Sequence, residues 1–423
     1  MSNFIQKIKH VFQDSSLRKR VLFILGTLAV FRLLAVIPIP GVNQSALAEF
    51  LNNNQFFGLL NIFSGGGLST LSIVMLGVGP YITASIIMQL LTMMSPKLKS
   101  MYQEEGAIGR KKFAQYSRLL TVPLAFAQAF GFIVLLQKQG IVASLDTFAL
   151  ITNVLVVVTG SIFLMWLGEI MTEFGIGNGL SIIIFAGIVA VVPQVASQFY
   201  YAFQVDQIPT YIALVALAAI LILLIVYITE AERPIPVTYA KQVRGGTTTG
   251  GSSTYLPLRL NQAGVIPIIF ALSLLLLPQM VLNFLTYLHN PSIDKVALFV
   301  SDLMKNSWFY AGAYFVLVFF FTFFYTAVTF DPKAISENLQ KSGAFIPGVR
   351  PGESTEAYLG KVVTRITLVG ALFLALVAVL PPVLKAVTGI QFLTIGGTGL
   401  LIVVSVVLDI VKKVDAQLSM REY

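Results

Sequence analysis

The sequence predicts an all-α polytopic membrane protein, with ten transmembrane helices in two five-helix halves of opposite orientation. Three observations carry this. First, 11% of the 423 residues are charged and 56% are hydrophobic, with a mean hydropathy of +0.84. A soluble domain averages about 25% charged residues. So few charges cannot cover a water-soluble globule with that much apolar surface. A disordered chain, which needs low hydrophobicity and high charge, is excluded too. Second, ten apolar runs approach the roughly 20 residues that a spanning helix needs. Third, Lys and Arg fall on alternate sides of these runs.

The elements follow in order. Residues 1–20 are polar and basic, and the first span, 21–38, stops at Pro38-Ile39-Pro40-Gly41. No small-residue cleavage site follows, so it reads as an uncleaved span. The second run, 68–94, follows Ser64-Gly65-Gly66-Gly67 and is broken at Gly77-Val78-Gly79-Pro80, where Gly adds backbone freedom and Pro removes a donor. Spans are then expected at 117–136, 148–172 and 180–200, the last interrupted by Pro193 and Gln194. A junction near Asp206 divides residues 1–205 from 206–423. The second half holds spans at 208–229, 263–288, 307–329, 364–385 and 392–411. Two loops, 230–262 and 331–363, exceed the about 12–15 residues beyond which loops tend to be functional or disordered.

With a cytoplasmic N-terminus, 23 of the 28 Lys and Arg residues fall in cytoplasmic segments and 4 on the other side, with Arg32 inside the first span. This follows the positive-inside rule and places both termini in the cytoplasm. An odd number of spans per half inverts one half relative to the other, the pattern of inverted-repeat membrane proteins. Gly77, Gly79 and Pro80 in one half, with Gly264 and Pro267 in the other, interrupt the second span of each. The net charge of +9 suits anionic partners where it is clustered, as in the two long loops.

Several chemistries drop out. The chain has no Cys, and its two His, His10 and His289, lie far apart, so no metal site and no cofactor are expected. Gly175-Ile176-Gly177-Asn178-Gly179 lacks the βαβ context of a nucleotide turn, and Gly245 to Gly251 lacks the ending of a P-loop. An intramembrane enzyme would need a Ser-His pair, an Asp pair or a metal motif in the spans, and none is visible. Arg32 reads as structural, paired with carbonyls or another helix, with a substrate ligand as the alternative. Polar side chains do interrupt the apolar helices: Thr83, Ser85, Gln89, Gln128, Asn261 and Gln262. They serve either as static helix glue or as a separable seam held by contacts of about 1 kcal/mol each. The residues alone leave open a protein-conducting channel and a secondary transporter with inverted repeats. A transporter would want midplane ionisable groups.

Five segments carry a resemblance: Gly79 to Leu91, Gly175 to Ala190, Asn261 to Pro267, Lys341 to Gly352 and Gly396 to Val403. In register over the whole chain, they resemble the bacterial SecY family, the central channel of the Sec translocon. The resemblance implies a non-enzymatic channel with a central pore in the bacterial plasma membrane. Such a channel moves unfolded secretory polypeptides across the bilayer. It releases hydrophobic segments sideways through a gate between spans two and seven.

The resemblance also implies roles by position. Val78, Ile82, Leu180, Ile184, Ile269 and Ile402 match the family's apolar constriction. The segment 61–72 matches its plug, with Asn61, Phe63, Gly65, Gly66, Gly67 and Leu68. Thr83, Gln128 and Asn261 match the polar cluster of the lateral gate, and Lys241, Arg244 and Arg350 the docking loops. Implied partners are the small membrane subunits SecE and SecG, the motor ATPase SecA, the ribosome, polypeptides bearing signal sequences, and the lipid bilayer. The loop tip Gly245 to Ser253 departs from the family in lacking basic residues, and Val78 and Leu180 stand where isoleucine is common.

Overall fold

The computed structural model describes residues 14–43, 46–47, 61, 64–103, 105–143, 146–201, 208–239, 242–244, 247–249, 253–286, 291–388 and 397–419. The chain is mostly helical. Helices lie over every expected span: α1 Ser15–Val36, α2 Gly79–Met94, α4 Gly106–Lys138, α5 Thr147–Phe174, α6 Gly179–Tyr201, α7 Ile208–Glu230, α8 Ile266–Thr286, α10 Ser307–Thr329, α12 Glu353–Thr388 and α13 Gly397–Ser419. Shorter helices α3 Pro96–Gln103, α9 Pro291–Lys305 and α11 Pro332–Lys341 connect them. Among the described residues, five helical stretches are long and apolar enough to cross a membrane, and three further apolar helices are shorter. The junction at Asp206 lies outside the described residues.

Local sequence explains the ends. Asp14 caps α1 by accepting from Ser16 N, Asn306 caps α10 through Trp308 N and Phe309 N, and Asp331 caps α11 ahead of Pro332. Pro193 does not end the fifth span, because α6 runs through it to Tyr201. Membrane helices tolerate proline where neighbouring groups satisfy the freed carbonyl. Hydroxyls inside helices bond their own preceding turn: Ser117 to Phe113 O, Thr121 to Ser117 O, Thr322 to Val318 O and Thr326 to Thr322 O.

The run 68–94 breaks at Gly77-Val78-Gly79-Pro80, as its glycines and proline predict: residues 64–78 form a series of turns, and α2 begins at Gly79. Positive φ at Gly77 (+57°) and Leu71 (+43°) is incompatible with a right-handed helix, and Pro80 fits the first turn of α2. The two long loops contain strands, which the sequence reading did not assign. Strands β1 Glu232–Tyr239 and β4 Ser253–Arg259 pair antiparallel, and β5 Ala344–Phe345 joins β1 from the second loop, giving the order β4-β1-β5. A separate short ribbon joins β2 Gln242–Arg244 and β3 Thr247–Thr249. Pro234 faces Pro257 across the β1–β4 ladder, where neither needs an N–H. Ile235, Val237, Leu258 and Ala344 pack on Leu359, Val362, Val363 and Ile366, so α12 starts eleven residues before its apolar span to carry the sheet.

Helix contacts group by sequence. Before residue 201, α2 packs on α4, α4 on α5, α5 on α6, and α1 on α5 and α6. After residue 208, α8 packs on α10, α10 on α12, α12 on α13, and α7 on α13. The two groups meet where α8 touches α2 and α4, and where α13 touches α6. Large apolar side chains are exposed along α1, α5, α7, α10 and α12, as a surface facing lipid requires.

Glycines mark the closest approaches. A Cβ at Gly160 on α5 would collide with the Ile73 carbonyl, a backbone atom that cannot swing away. At Gly312 a Cβ would meet nothing within 4 Å. Gly160→Ala should therefore destabilise the detergent-purified protein by about 1–3 kcal/mol. Gly312→Ala should leave it unchanged or slightly more stable, because alanine favours helix. Thermal unfolding followed by tryptophan fluorescence checks the pair. Equal midpoints for the two variants would refute the packing argument.

Candidate functional site

The turn segment 64–78 is the unusual part of the interior. Nearly all of it is buried, yet it is not helical, so each backbone polar group needs a protein partner. Those partners are visible. Within the segment, Asn61 Oδ1 accepts from Ser69 N (2.7 Å), Ser64 Oγ accepts from Leu68 N (3.1 Å), and Ser69 Oγ donates to Gly66 O (2.7 Å). Gly65 and Gly66 take φ of +71° and +81°, which the polar turns require.

Neighbouring helices complete the seat. Arg32 on α1 donates to Gly65 O at 2.6 Å, and Thr70 Oγ1 donates to Ala35 O at 2.8 Å. Ser161 on α5 donates to Gly77 O at 2.9 Å. Ile39 N to Leu71 O and Ile73 N to Ile37 O form a short antiparallel link with the chain leaving α1. Arg32 thus takes the carbonyl-bound structural role. Gly160, Ser161 and Phe31, whose ring lies against Gly65, are seat residues that the sequence reading missed. The one available signal was a pair of small residues, Gly160-Ser161, inside an apolar helix.

The six aliphatic residues expected at a constriction occupy one apolar cluster. Val78, Ile184 and Ile402 lie buried within it, and Ile82, Leu180 and Ile269 pack against it partly buried. Ile82 belongs to α2, Leu180 and Ile184 to α6, Ile269 to α8 and Ile402 to α13, and Val78 is the cap residue of α2. These four helices are among those through which the two helix groups touch. Val74 of the turn segment joins the same cluster, while Leu68, Leu71, Met75 and Leu76 enter a second core formed with α4 and α5. The turn segment therefore ties the two cores together.

The remaining candidates are placed as follows. Of the residues expected to form a plug, Asn61, Gly65, Gly66, Gly67 and Leu68 are in this arrangement, and Phe63 lies outside the described residues. Thr83 and Asn261 are buried and Gln128 is half-buried. No hydrogen bond joins these three among the described residues. Thr83 donates to Gly79 O, Asn261 Nδ2 donates to Gly264 O, and Asn261 Oδ1 is buried without a partner. Lys241 lies outside the described residues, and Arg244 lies in β2. Arg350 is exposed in a formed turn: its carbonyl accepts from Thr355 Oγ1 at 2.8 Å, and Ser336 Oγ donates to Gly352 O at 2.7 Å.

The glycine run 175–179 has a packing purpose. A Cβ at Gly175 would crowd Ile24 of α1, and one at Gly179 would collide with the Gly168 carbonyl of α5. Gly177, at φ +93°, sits beside Asp409 and Lys413 of α13. Among the described residues no group of His, Cys, Asp and Glu could hold a metal ion.

Comparison with known proteins now bears on this arrangement. The SecY family model matches residues 72–411. The chain is 43% identical to the protein translocase subunit SecY of Aquifex aeolicus, over 98% of both chains. It is 42% identical to that of Halalkalibacterium halodurans, again over 98% of both. The chain belongs to the SecY family. Its fold matches that of a protein-conducting channel with a TM-score of 0.63 at 21% identity, covering 93% of this chain and 90% of the other. It also matches a SecY structure described by its plug domain, with a TM-score of 0.62 at 22% identity over the same shares. Sec61 in a canine ribosome–channel complex matches with a TM-score of 0.57 at 20% identity.

The Arg32–Gly65 bond joins a charge to a buried carbonyl, and such bonds are worth about 1.5–3 kcal/mol. Arg32→Leu should loosen the turn segment and speed backbone amide exchange over residues 64–72 roughly tenfold or more. Exchange in α5 should not change. Hydrogen–deuterium exchange by mass spectrometry measures both. Unchanged exchange over 64–72 would remove Arg32 from the seat.

Proposed function

We propose that this chain is the pore-forming subunit of a bacterial protein translocase, multi-pass in the plasma membrane with both termini cytoplasmic. Its two inverted halves, spans one to five and six to ten, enclose the path. The observation that carries this is the convergence of six aliphatic side chains, from four helices at which the two helix groups meet, on one cluster adjoining a buried non-helical segment. The translocase relatives at 43% and 42% identity support it over nearly the whole length.

The chemistry suits a passage for polypeptide. An aliphatic ring excludes water and ions and offers a moving chain no fixed hydrogen-bond partner. It widens by rotamer changes that leave no charge unpaired. Segment 61–72 acts as the plug, and its bonds to Arg32 and Ala35 hold the closed state. The seam between α2 and α8, with Thr83, Gln128 and Asn261 near it, serves as the lateral gate. Residues there make local bonds and Asn261 Oδ1 has none, so parting the helices breaks few cross-seam hydrogen bonds. Lys241, Arg244 and Arg350 dock the motor ATPase SecA or the ribosome, and SecE and SecG pack against the bundle as small membrane subunits.

The decisive experiment uses the absence of Cys. One Cys replaces Ile184, and another is placed mid-chain in a secretory precursor stalled during export. A disulfide that depends on stalling, and is absent from a lipid-facing control such as Leu223→Cys, is expected. A stalled precursor that never crosslinks at Ile184 would refute the channel reading. A second outcome concerns docking: Arg350→Glu should block motor-driven export by reconstituted vesicles while the protein stays folded and inserted. Normal export by that variant would remove Arg350 from the docking surface.

A further inference from the structure

A cleft of about 540 Å³ opens where α2, α4, α5 and α6 meet, lined among others by Tyr81, Arg118, Trp166, Glu169, Glu173 and Asn178. It borders the constriction, since Leu180 also lines it and Tyr81 precedes Ile82. Its charge runs against its surroundings. The segments flanking the spans on this side carry 23 of the 28 basic residues, yet the cleft holds one cation and two carboxylates.

The groups are arranged to take another cation. Arg118 and Glu169 form an ion pair at 2.5 Å, with side chains 45% and 22% exposed. Glu173 is exposed and has no ion-pair partner among the described residues. Both carboxylates sit in the last two turns of α5, where the helix presents its carbonyl end and its last turn has no basic side chain. A helix C-terminus favours positive charge. Trp166, 52% exposed, adds an indole face of the kind that attracts ammonium and guanidinium groups. Lys413, beside Gly177, is already held by Asp409 at 2.6 Å.

On the channel reading above, we infer that this cleft receives the Lys or Arg that flanks a hydrophobic segment of the incoming polypeptide. The incoming cation contacts Glu173 and Trp166 and shares Glu169 with Arg118. Hydrophobic segments in membranes carry basic flanks on their cytoplasmic side. α2 and α4 both touch α8 and both line this cleft, so a segment lodging at that seam brings its flank within reach. The cleft then selects and orients clients by charge, a role distinct from the uncharged ring.

The test places a Cys at Ile170, on the cleft wall, in the otherwise Cys-free protein reconstituted with its partners. Two stalled precursors differ only in a Lys or a Gln flank, with a Cys beside it. The Lys flank should give about fivefold more disulfide, the effect of about 1 kcal/mol. Glu169→Gln with Glu173→Gln should erase the difference, and Arg118→Gln should enlarge it by freeing Glu169. Equal yields for the two flanks, or a difference that survives the double variant, would overturn the inference. If the double variant is poorly folded, Glu173→Gln alone, at an exposed position, should still halve the difference, and no reduction counts against the inference. Ile184→Cys runs in parallel. A crosslink at Ile184 without charge dependence at Ile170 sinks the cleft alone, whereas loss of both sinks the channel reading too.

Discussion

Everything in this molecule answers to one constraint: a backbone surrounded by lipid must satisfy its own hydrogen bonds. Helices meet it internally, which is why a helix lies in each of the ten apolar runs. The segment 64–78 cannot meet it that way, because Gly65, Gly66, Leu71 and Gly77 hold positive φ. It is held inside the bundle by donors from Arg32 on α1 and Ser161 on α5, by the chain at Ile37–Ile39, and by its own Thr70, which donates to Ala35 O. Such non-helical backbone is tolerated at membrane depth where protein surrounds it. That tolerance puts a short non-helical segment beside an apolar cluster.

The two kinds of contact in the interior differ in how they yield. The aliphatic cluster is held by non-directional apolar packing, which changes shape without leaving a polar group stranded. The turn segment is held by directional bonds, each of which has to break before it moves. The two helix groups touch chiefly at α8 against α2 and α4, and at α13 against α6, and α2, α6, α8 and α13 all contribute to the cluster.

Outside the apolar layer the protein is built differently. The sheet β4-β1-β5 is small, but it has its own core on the first turns of α12, so Arg350 stands in a fixed turn and not on a floppy loop. The ion pairs Arg118–Glu169 and Lys412–Glu230 tie neighbouring helices near their ends, where water screens them and their energetic worth is small. Their value lies in where they place charge. The cleft beside Arg118 also holds the carboxylates of Glu169 and Glu173.

The sequence by itself determined the membrane class, the number and order of apolar runs, and the asymmetry of charge. Each is a local property: hydropathy is summed over a window of about 20 residues, and Lys and Arg positions are read one at a time. The break at Gly77-Val78-Gly79-Pro80 was legible for the same reason, since glycine and proline act on their own backbone. Only the tertiary structure decided that residues 68–78 leave the helix altogether, because that depends on Arg32 and Ser161, 33 and 84 residues away from the carbonyls they bind. It alone decided that Val78, Ile82, Leu180, Ile184, Ile269 and Ile402 share one cluster, as apolar residues in apolar spans carry no local mark of which neighbour they meet. The strands of the loop sheet stayed hidden likewise. Their hydrogen bonds join residues 232–239 to 344–345, and a pairing over about a hundred positions is set by packing on α12, not by local propensity.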